Sequence, residues 1–272
     1  MLCSTPGCRR GGEGASPGER SVRVHVLVPC GLASVFARIT VEAQEDLPDV
    51  HLTSDIVPVV AMTDRVLNGS LHADLFTSLG YKEIERLQRA GKLVRGSVRN
   101  MARFELCLAT AAGNPLGVKD LHDLLKPEVK HVTMPPPHEN SVGCYTRDVL
   151  KKAGLWEALD PKIVYPASSA QVPKYLRKGW ADAAVVYDTC LIETYTPTGE
   201  PKGAKGAVEK VAMIDPALYP TMYAPAALLK GSKHPRAARR VLDYLVSDAV
   251  ADCFRQHGFK PLAPSRGGAR DR

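Results

Sequence analysis

The sequence predicts an α/β protein folded as two lobes, and three observations carry the prediction. Strand-like apolar runs alternate with amphipathic helical runs along nearly the whole chain, the pattern of sheets covered by helices. One short construction occurs twice: an amphipathic run (62–67, then 172–176) stops at a glycine (Gly69, Gly179), passes through Ala-Asp (Ala73-Asp74, Ala181-Asp182) and enters an apolar strand (75–76, then 183–187). Glycine accepts the left-handed backbone that ends a helix, and continuous apolar runs suit parallel strands with both faces covered. Finally, an apolar run at 104–110 reads as a crossover, and a late strand at 224–229 reads as a return, so the first lobe takes both ends of the chain. Two lobes of one design enclose a cleft, the usual place for a small ligand.

Taken in order, residues 22–28 alternate and then run apolar, a first strand whose turn is Pro29-Cys30-Gly31, and 32–42 has helical spacing. A strand that turns through glycine into a helix aims unpaired N–H groups at the crevice and favours anions there. Residues 51–60 read as a second strand with Pro58 near its end, followed by the first helix-glycine-strand unit and a helix at 81–90 closed by Gly91. Beyond the crossover come a loop at Asn114-Pro115 and Gly117, a short helix at 119–125, and a strand at 129–133 that ends in Pro135-Pro136-Pro137. A helix at 143–153 capped by Gly154, a short strand at 162–165 and the second helix-glycine-strand unit follow. The Thr/Pro/Gly/Lys run at 196–206 is too polar for a core, and 234–256 reads as one long helix closed by Gly258.

At 272 residues, 44% hydrophobic and 24% charged, the chain has the composition of a soluble globular protein. Its formal charge of +7 is scattered, and no nucleic-acid-reading motif accompanies it, so a mild pull on anionic ligands is the economical inference. No apolar run approaches the roughly 18–20 residues of a membrane-spanning helix. Residues 1–20, rich in Gly, Pro, Ser and Arg, hold no apolar segment of the kind a secretory leader needs, and read as a disordered leader. Seven cysteines at irregular spacing do not make a disulfide framework, and Cys3 and Cys8 have too little context for a zinc site.

Several residues carry two readings. Asp74 and Asp182 look like a catalytic pair, but their repeated place after a glycine cap points to turn formation. Ser168-Ser169 reads as a helix cap, which is compatible with a ligand contact because exposed amides serve both. His25, His51 and His131 lie in or beside strands without shared spacing and read as structural. Cys30, Cys144 and Cys190 all fall near the expected cleft. With His138 and Glu139 they offer ligands for a soft or borderline metal ion, and a helix start lowers the pKa of a thiol such as Cys144; equally, they are small hydrophobes that fill a core. No Ser-His-Asp order, phosphate loop or metalloprotease helix can be read.

The order and spacing of four segments resemble a known family. They are Asn68-Gly69 with Ala73-Asp74-Leu75-Phe76-Thr77-Ser78, then Ser141-Val142-Gly143-Cys144-Tyr145, then Ala181-Asp182-Ala183-Ala184-Val185-Val186-Tyr187, and Cys253-Phe254 with His257-Gly258-Phe259. The chain from about Val22 to Leu262 is similar to the type II periplasmic solute-binding proteins of ABC importers, and within them to the molybdate-binding branch.

The resemblance implies a two-lobed type II fold of two mixed sheets flanked by helices and hinged at a cleft. Lobe 1 would be 22–105 plus 218–262 and lobe 2 106–217, with 1–21 as leader and 263–272 as tail. It implies a non-catalytic monomer without cofactor, outside the cytoplasmic membrane, that closes on a tetrahedral oxyanion such as molybdate or tungstate and hands it to an ABC permease. In that family two serine hydroxyls of the first lobe, two backbone amides and a tyrosine hydroxyl of the second hold the anion. Here the tyrosine falls at Tyr187 and the amides at Val142 and Ser169, whereas the serine positions are Gly31 and, approximately, Val59. Each missing donor to a buried anion costs on the order of 1.5–3 kcal/mol, so replacements are needed. The candidates are the amides of Gly31 and Leu32 and the hydroxyls of Thr77 and Ser78. Two other readings stay open: a metal or metal chelate held through Cys30, Cys144 or His138, and an enzyme that uses the same cleft.

Overall fold

The computed structural model describes residues 21–167, 171–191 and 208–262. The expected leader, Ser168-Ser169, the polar run at 196–206 and the tail at 263–272 lie outside them. Eleven strands form two mixed sheets among the described residues. The first has the order β11(Lys260–Pro261), β4(Arg99–Phe104), β10(Met222–Leu228), β3(Leu75–Thr77), β1(Val22–Val28), β2(Val50–Ile56). The second has the order β7(Ile163–Val164), β6(Val132–Thr133), β8(Ala183–Tyr187), β5(Leu106–Ala111), β9(Val208–Met213). Each sheet combines a parallel group, β2-β1-β3 or β7-β6-β8, with antiparallel partners, β10 or β5. This is the two-lobed α/β architecture that the sequence predicts.

The repeated construction is realised twice. Helix α2(Val59–Leu67) ends before Gly69 (φ +78°) and α6(Val172–Arg177) before Gly179 (φ +66°), each followed by its buried strand. Neither repeated aspartate is catalytic in arrangement. The Asp74 amide donates to the His25 carbonyl and its Oδ2 accepts from the His25 amide at 2.8 Å. The Asp182 amide donates to the His131 carbonyl, while its Oδ2 accepts from the amides of Lys130 at 2.7 Å and His131 at 2.8 Å. Both carboxylates therefore lace one strand entry to the neighbouring parallel strand, at equivalent places in the two lobes.

Other expectations need correction. Residues 59–60 open helix α2 rather than ending a strand: Pro58 caps the helix, the place where a missing N–H costs nothing. The run at 104–110 is two strands, not one, because the chain changes sheets at Glu105, between β4 and β5. Only a 3-10 turn, His122–Leu125, forms at 119–125. The long helix at 234–256 is two, α7(Pro235–Tyr244) and α8(Ala251–Gln256), broken where Ser247 turns back to the Tyr244 carbonyl. The remaining helices are α1(Ala33–Asp46), α3(Lys82–Arg89), α4(Ser141–Lys152) and α5(Trp156–Leu159).

The chain crosses between sheets at Glu105 and again between Met213 and Met222. Both crossings are cross-linked: the Asp188 amide donates to the Glu105 carbonyl at 2.8 Å, and the Leu106 amide donates to Tyr219 Oη at 3.3 Å. Two short backbone crossings join the sheets, the kind of connection about which hinged lobes rotate.

Candidate functional site

The cleft is built from the C-terminal ends of the strands of both sheets, where ligands of α/β proteins bind. After β1 the chain enters a 3-10 turn, Cys30–Leu32, that runs on into α1; after β2 it enters α2 at Val59; after β6 and the proline run it enters α4 at Ser141. Three helices thus begin just past the C-terminal ends of strands. Their first amides lack intrahelical acceptors and carry the positive end of the helix dipole, so they attract an anion without any cationic side chain.

Tyr187 closes β8 on the opposite lobe and is 2% exposed. Its ring stands edge-on to Phe104, the last residue of β4, with centroids 5.8 Å apart, so an aromatic pair bridges the two sheets. Its hydroxyl reaches the first-lobe turn. A methyl group on Gly31 would meet the phenol oxygen, would stand 2.6 Å from Leu79 Cδ1 and 3.1 Å from Tyr187 Cζ. Glycine at position 31 therefore leaves the space that the phenol fills, which gives the absent serine a steric reason.

The structure brings Gly31 and Tyr187 together and sets Val142 at the start of α4, fully buried. Ser169 lies outside the described residues. Val59 packs its side chain into the core with Leu27 and Phe76 at the first helical position of α2. The replacement donors largely fall away. Thr77 Oγ1 donates to the Leu27 carbonyl at 2.9 Å, Ser78 Oγ to Glu83 at 3.3 Å, and the Leu32 amide to the Pro29 carbonyl at 2.9 Å. The Val142 amide donates to Asn140 Oδ1 at 2.8 Å, a side-chain cap that a solute would have to displace.

Cys30, Cys144 and His138 do not assemble. His138 is an exposed loop residue whose ring lies 3.5 Å from Glu139, and the Cys144 thiol donates to the Pro137 carbonyl at 2.7 Å. Among the described residues no group of three or more His, Cys, Asp or Glu is placed to hold a metal ion. Burial pushes the Cys144 thiol up rather than letting the helix start bring it down. It also pushes Cys107 up to about 12, and raises Cys190, whose thiol is hydrogen-bonded to Tyr187.

The sequence reading missed how the lobes meet. The 79–82 segment of the first lobe lies against α4 of the second. Ser141 Oγ donates to the Leu79 carbonyl at 2.8 Å, the Tyr81 amide donates to Tyr145 Oη at 3.2 Å, and Lys82 pairs with Asp148 at 2.9 Å. Gly80 adopts φ +91°, and a side chain there would stand 2.9 Å from Tyr145 Oη. At the helix start Gly143 packs on the proline run, where a methyl would stand 2.8 Å from the Pro135 carbonyl carbon. The capping signal of Asn140 before a helical run was present in the sequence; the contacts across the gap had no local signature.

Paired sheets, short crossings and helix starts facing a closable gap define a two-lobed solute-binding protein. The chain belongs to the bacterial extracellular solute-binding protein family, whose profile matches residues 24–260. It is 23% identical over 251 residues to the putative ABC transporter substrate-binding lipoprotein YvgL of Bacillus subtilis (strain 168), covering 91% of this chain and 90% of that one. It is 26% identical over 241 residues to the molybdate-binding protein ModA of Azotobacter vinelandii, covering 88% and 90%. Among solved structures, the periplasmic molybdate-binding protein of Azotobacter vinelandii superimposes with a TM-score of 0.72 at 16% identity, covering 88% of this chain and all of that one, a likeness of fold. No helix of the described residues is long and apolar enough to cross a membrane.

Proposed function

We propose that the chain is the solute-binding component of an ABC importer and captures a small oxyanion of the molybdate class between its lobes. The observation that carries this reading is the approach of the Tyr187 phenol of one lobe to the Gly31 turn of the other, beside a helix start of each lobe, α1 after that turn and α4 at Ser141, whose hydroxyl reaches the Leu79 carbonyl. A tetrahedral oxyanion needs several hydrogen-bond donors and no fixed countercharge, and helix-start amides supply them. The molybdate-binding relatives support the same solute class. Solute held by both lobes favours the closed state by its differential affinity for that state, and a membrane permease would then receive it from the closed monomer outside the cytoplasmic membrane.

On this reading, solute entry opens the Gly31–Tyr187 approach and displaces the Asn140 cap from the Val142 amide. Isothermal titration with molybdate, tungstate and sulfate tests the proposal. Saturable 1:1 binding of molybdate or tungstate supports it, as does a raised melting temperature, which grows as RT ln(1 + [L]/Kd). Absence of heat and of thermal stabilisation with all three anions refutes it.

A further inference from the structure

Besides the Gly31–Tyr187 approach, the lobes meet at a second place, where one face of a helix lies in register against a strap of consecutive residues. Ser141, Tyr145 and Asp148 follow one another along α4 at steps of four and three residues, which sets them on one side of the helix. Opposite them runs the 79–82 segment of the first lobe. Ser141 Oγ donates to the Leu79 carbonyl at 2.8 Å, the Tyr81 amide donates to Tyr145 Oη at 3.2 Å, and Asp148 Oδ2 lies 2.9 Å from Lys82 Nζ. Lys82 also stands over the Tyr145 ring, 4.7 Å from its centroid. None of these contacts uses Gly31, Tyr187 or the Val142 amide.

We infer that the strap and α4 form a latch that holds the lobes closed whether or not a solute lies between them. A solute then meets a chain whose closed form is already populated. Its apparent affinity follows the strength of the latch, because binding weakens in proportion as the competent state becomes rarer. Tyr145 is a positioning residue in this account: its part is to join the lobes, not to hold the solute. The inference rests on the two-lobed solute-binding fold and is indifferent to which solute the gap takes.

Each half of the latch is held in shape by its own lobe. The strap is tied to β10: the Ser78 amide donates to the Pro225 carbonyl at 3.0 Å and the Gly80 amide to the Tyr223 carbonyl at 2.8 Å. Tyr81 is fixed by its side chain, whose hydroxyl donates to Asn100 of β4 and whose ring stands edge-on to Tyr223 with centroids 6.2 Å apart. On the other side, Val142, Val149 and Leu150, all fully buried, anchor α4 in the second lobe. Partners already ordered lose little conformational freedom on meeting, so their contacts favour the closed state with little offset. Gly80, at φ +91°, leaves the room that Tyr145 takes, since a side chain there would stand 2.9 Å from Tyr145 Oη. The Tyr81 amide, at the start of α3, has no acceptor within that helix, and Tyr145 Oη caps it from across the interface. One such hydrogen bond shifts the closed-to-open ratio by about 2–12-fold. The Lys82–Asp148 pair, with side chains 36% and 50% exposed, shifts it by about 1.5–5-fold.

Small-angle X-ray scattering of the solute-free chain, with Tyr145→Phe and Asp148→Lys beside the wild type, tests the inference. The expected result is a larger radius of gyration in both variants than in the wild type. Adding Lys82→Glu to Asp148→Lys restores opposite charges across the interface and should bring the radius back toward the wild-type value. One radius for all of these chains, or a charge reversal that the second reversal does not correct, overturns the inference. Should Tyr145→Phe fail to fold, the exposed charge pair carries the test by itself. Molybdate calorimetry is scored separately. Absence of binding counts against the oxyanion reading, whereas radii indifferent to these substitutions count against the latch.

Discussion

Gly31→Ala adds one methyl group where the lobes meet, and its cost can be worked from the geometry. The methyl would stand 2.6 Å from Leu79 Cδ1 and 3.1 Å from Tyr187 Cζ, so Leu79 must retreat by about 0.8 Å to regain an ordinary contact of 3.4 Å. Leu79 is 4% exposed and Tyr187 2%, so neither has open space to swing into. Overpacking of this kind costs about 1–3 kcal/mol. Gly31 and Leu79 share a lobe, so that contact burdens the open and closed states alike, whereas Tyr187 belongs to the other lobe and the cost of meeting it falls on the closed state alone. A 1–3 kcal/mol penalty on closure weakens solute binding by about 5–150-fold. Calorimetry with molybdate on the wild type, Gly31→Ala, Tyr187→Phe and the double variant measures this. With Tyr187 as the proposed solute donor, Tyr187→Phe should lose a charge-assisted hydrogen bond, about 1.5–3 kcal/mol, and it also removes the atom nearest the new methyl. The double variant should therefore lose less than the two single losses together, by about 0.5 kcal/mol or more. Wild-type affinity in Gly31→Ala, or losses that simply add, refutes the reasoning.

The two lacing aspartates should differ in worth. Asp74 is buried and holds the His25 amide and Ser232 Oγ (2.6 Å), so Asp74→Ala should cost about 1–3 kcal/mol by urea melts, whereas Asp182→Ala, whose partners are exposed, should cost less; the reverse order would contradict the account. Gly80→Ala should weaken solute binding, because its methyl meets Tyr145 across the gap. Gly69→Ala, with a similar positive φ but open space around it, should cost only stability; equal effects on binding in the two variants would count against the interface. His257 is 2% exposed and burial holds its pKa below 6.5. Its neutral form contributes stability that is present above the unfolded-state value and lost as pH falls, so the melting temperature of His257→Gln should drop less between pH 7.5 and 5.5 than that of the wild type; parallel drops would exclude the role.

Much of the fold was legible because it rests on local rules. The strand at Val22–Val28 and the strand at Ala183–Tyr187 were read to the residue, since both are apolar runs bounded by turn residues. The glycine stops at Gly69, Gly91, Gly154 and Gly179 were legible because each takes a positive φ that few other residues accept. What escaped depends on tertiary partners. Strand β4 reads Arg-Asn-Met-Ala-Arg-Phe, and only pairing with β10 and β11 makes it a strand. The break before α8 depends on a turn at Ser247 that the apolar periodicity does not record.

The site divides the same way. Tyr187 and the start of α4 could be placed from motif order, and the glycine at position 31 could be seen as a departure from the family pattern. Its physical reason, the approach of the Tyr187 phenol, could not, because it joins residues of different sheets.

The central claim is that the gap bounded by the Cys30–Leu32 turn, the start of α2, the start of α4 and Tyr187 holds the solute. Crystals grown with molybdate and measured at the molybdenum absorption edge test it most directly. The account predicts one anomalous peak in that gap, within hydrogen-bonding distance of the Tyr187 phenol and of helix-start amides from both lobes. A peak elsewhere, or an empty gap in crystals grown at saturating molybdate, would contradict it.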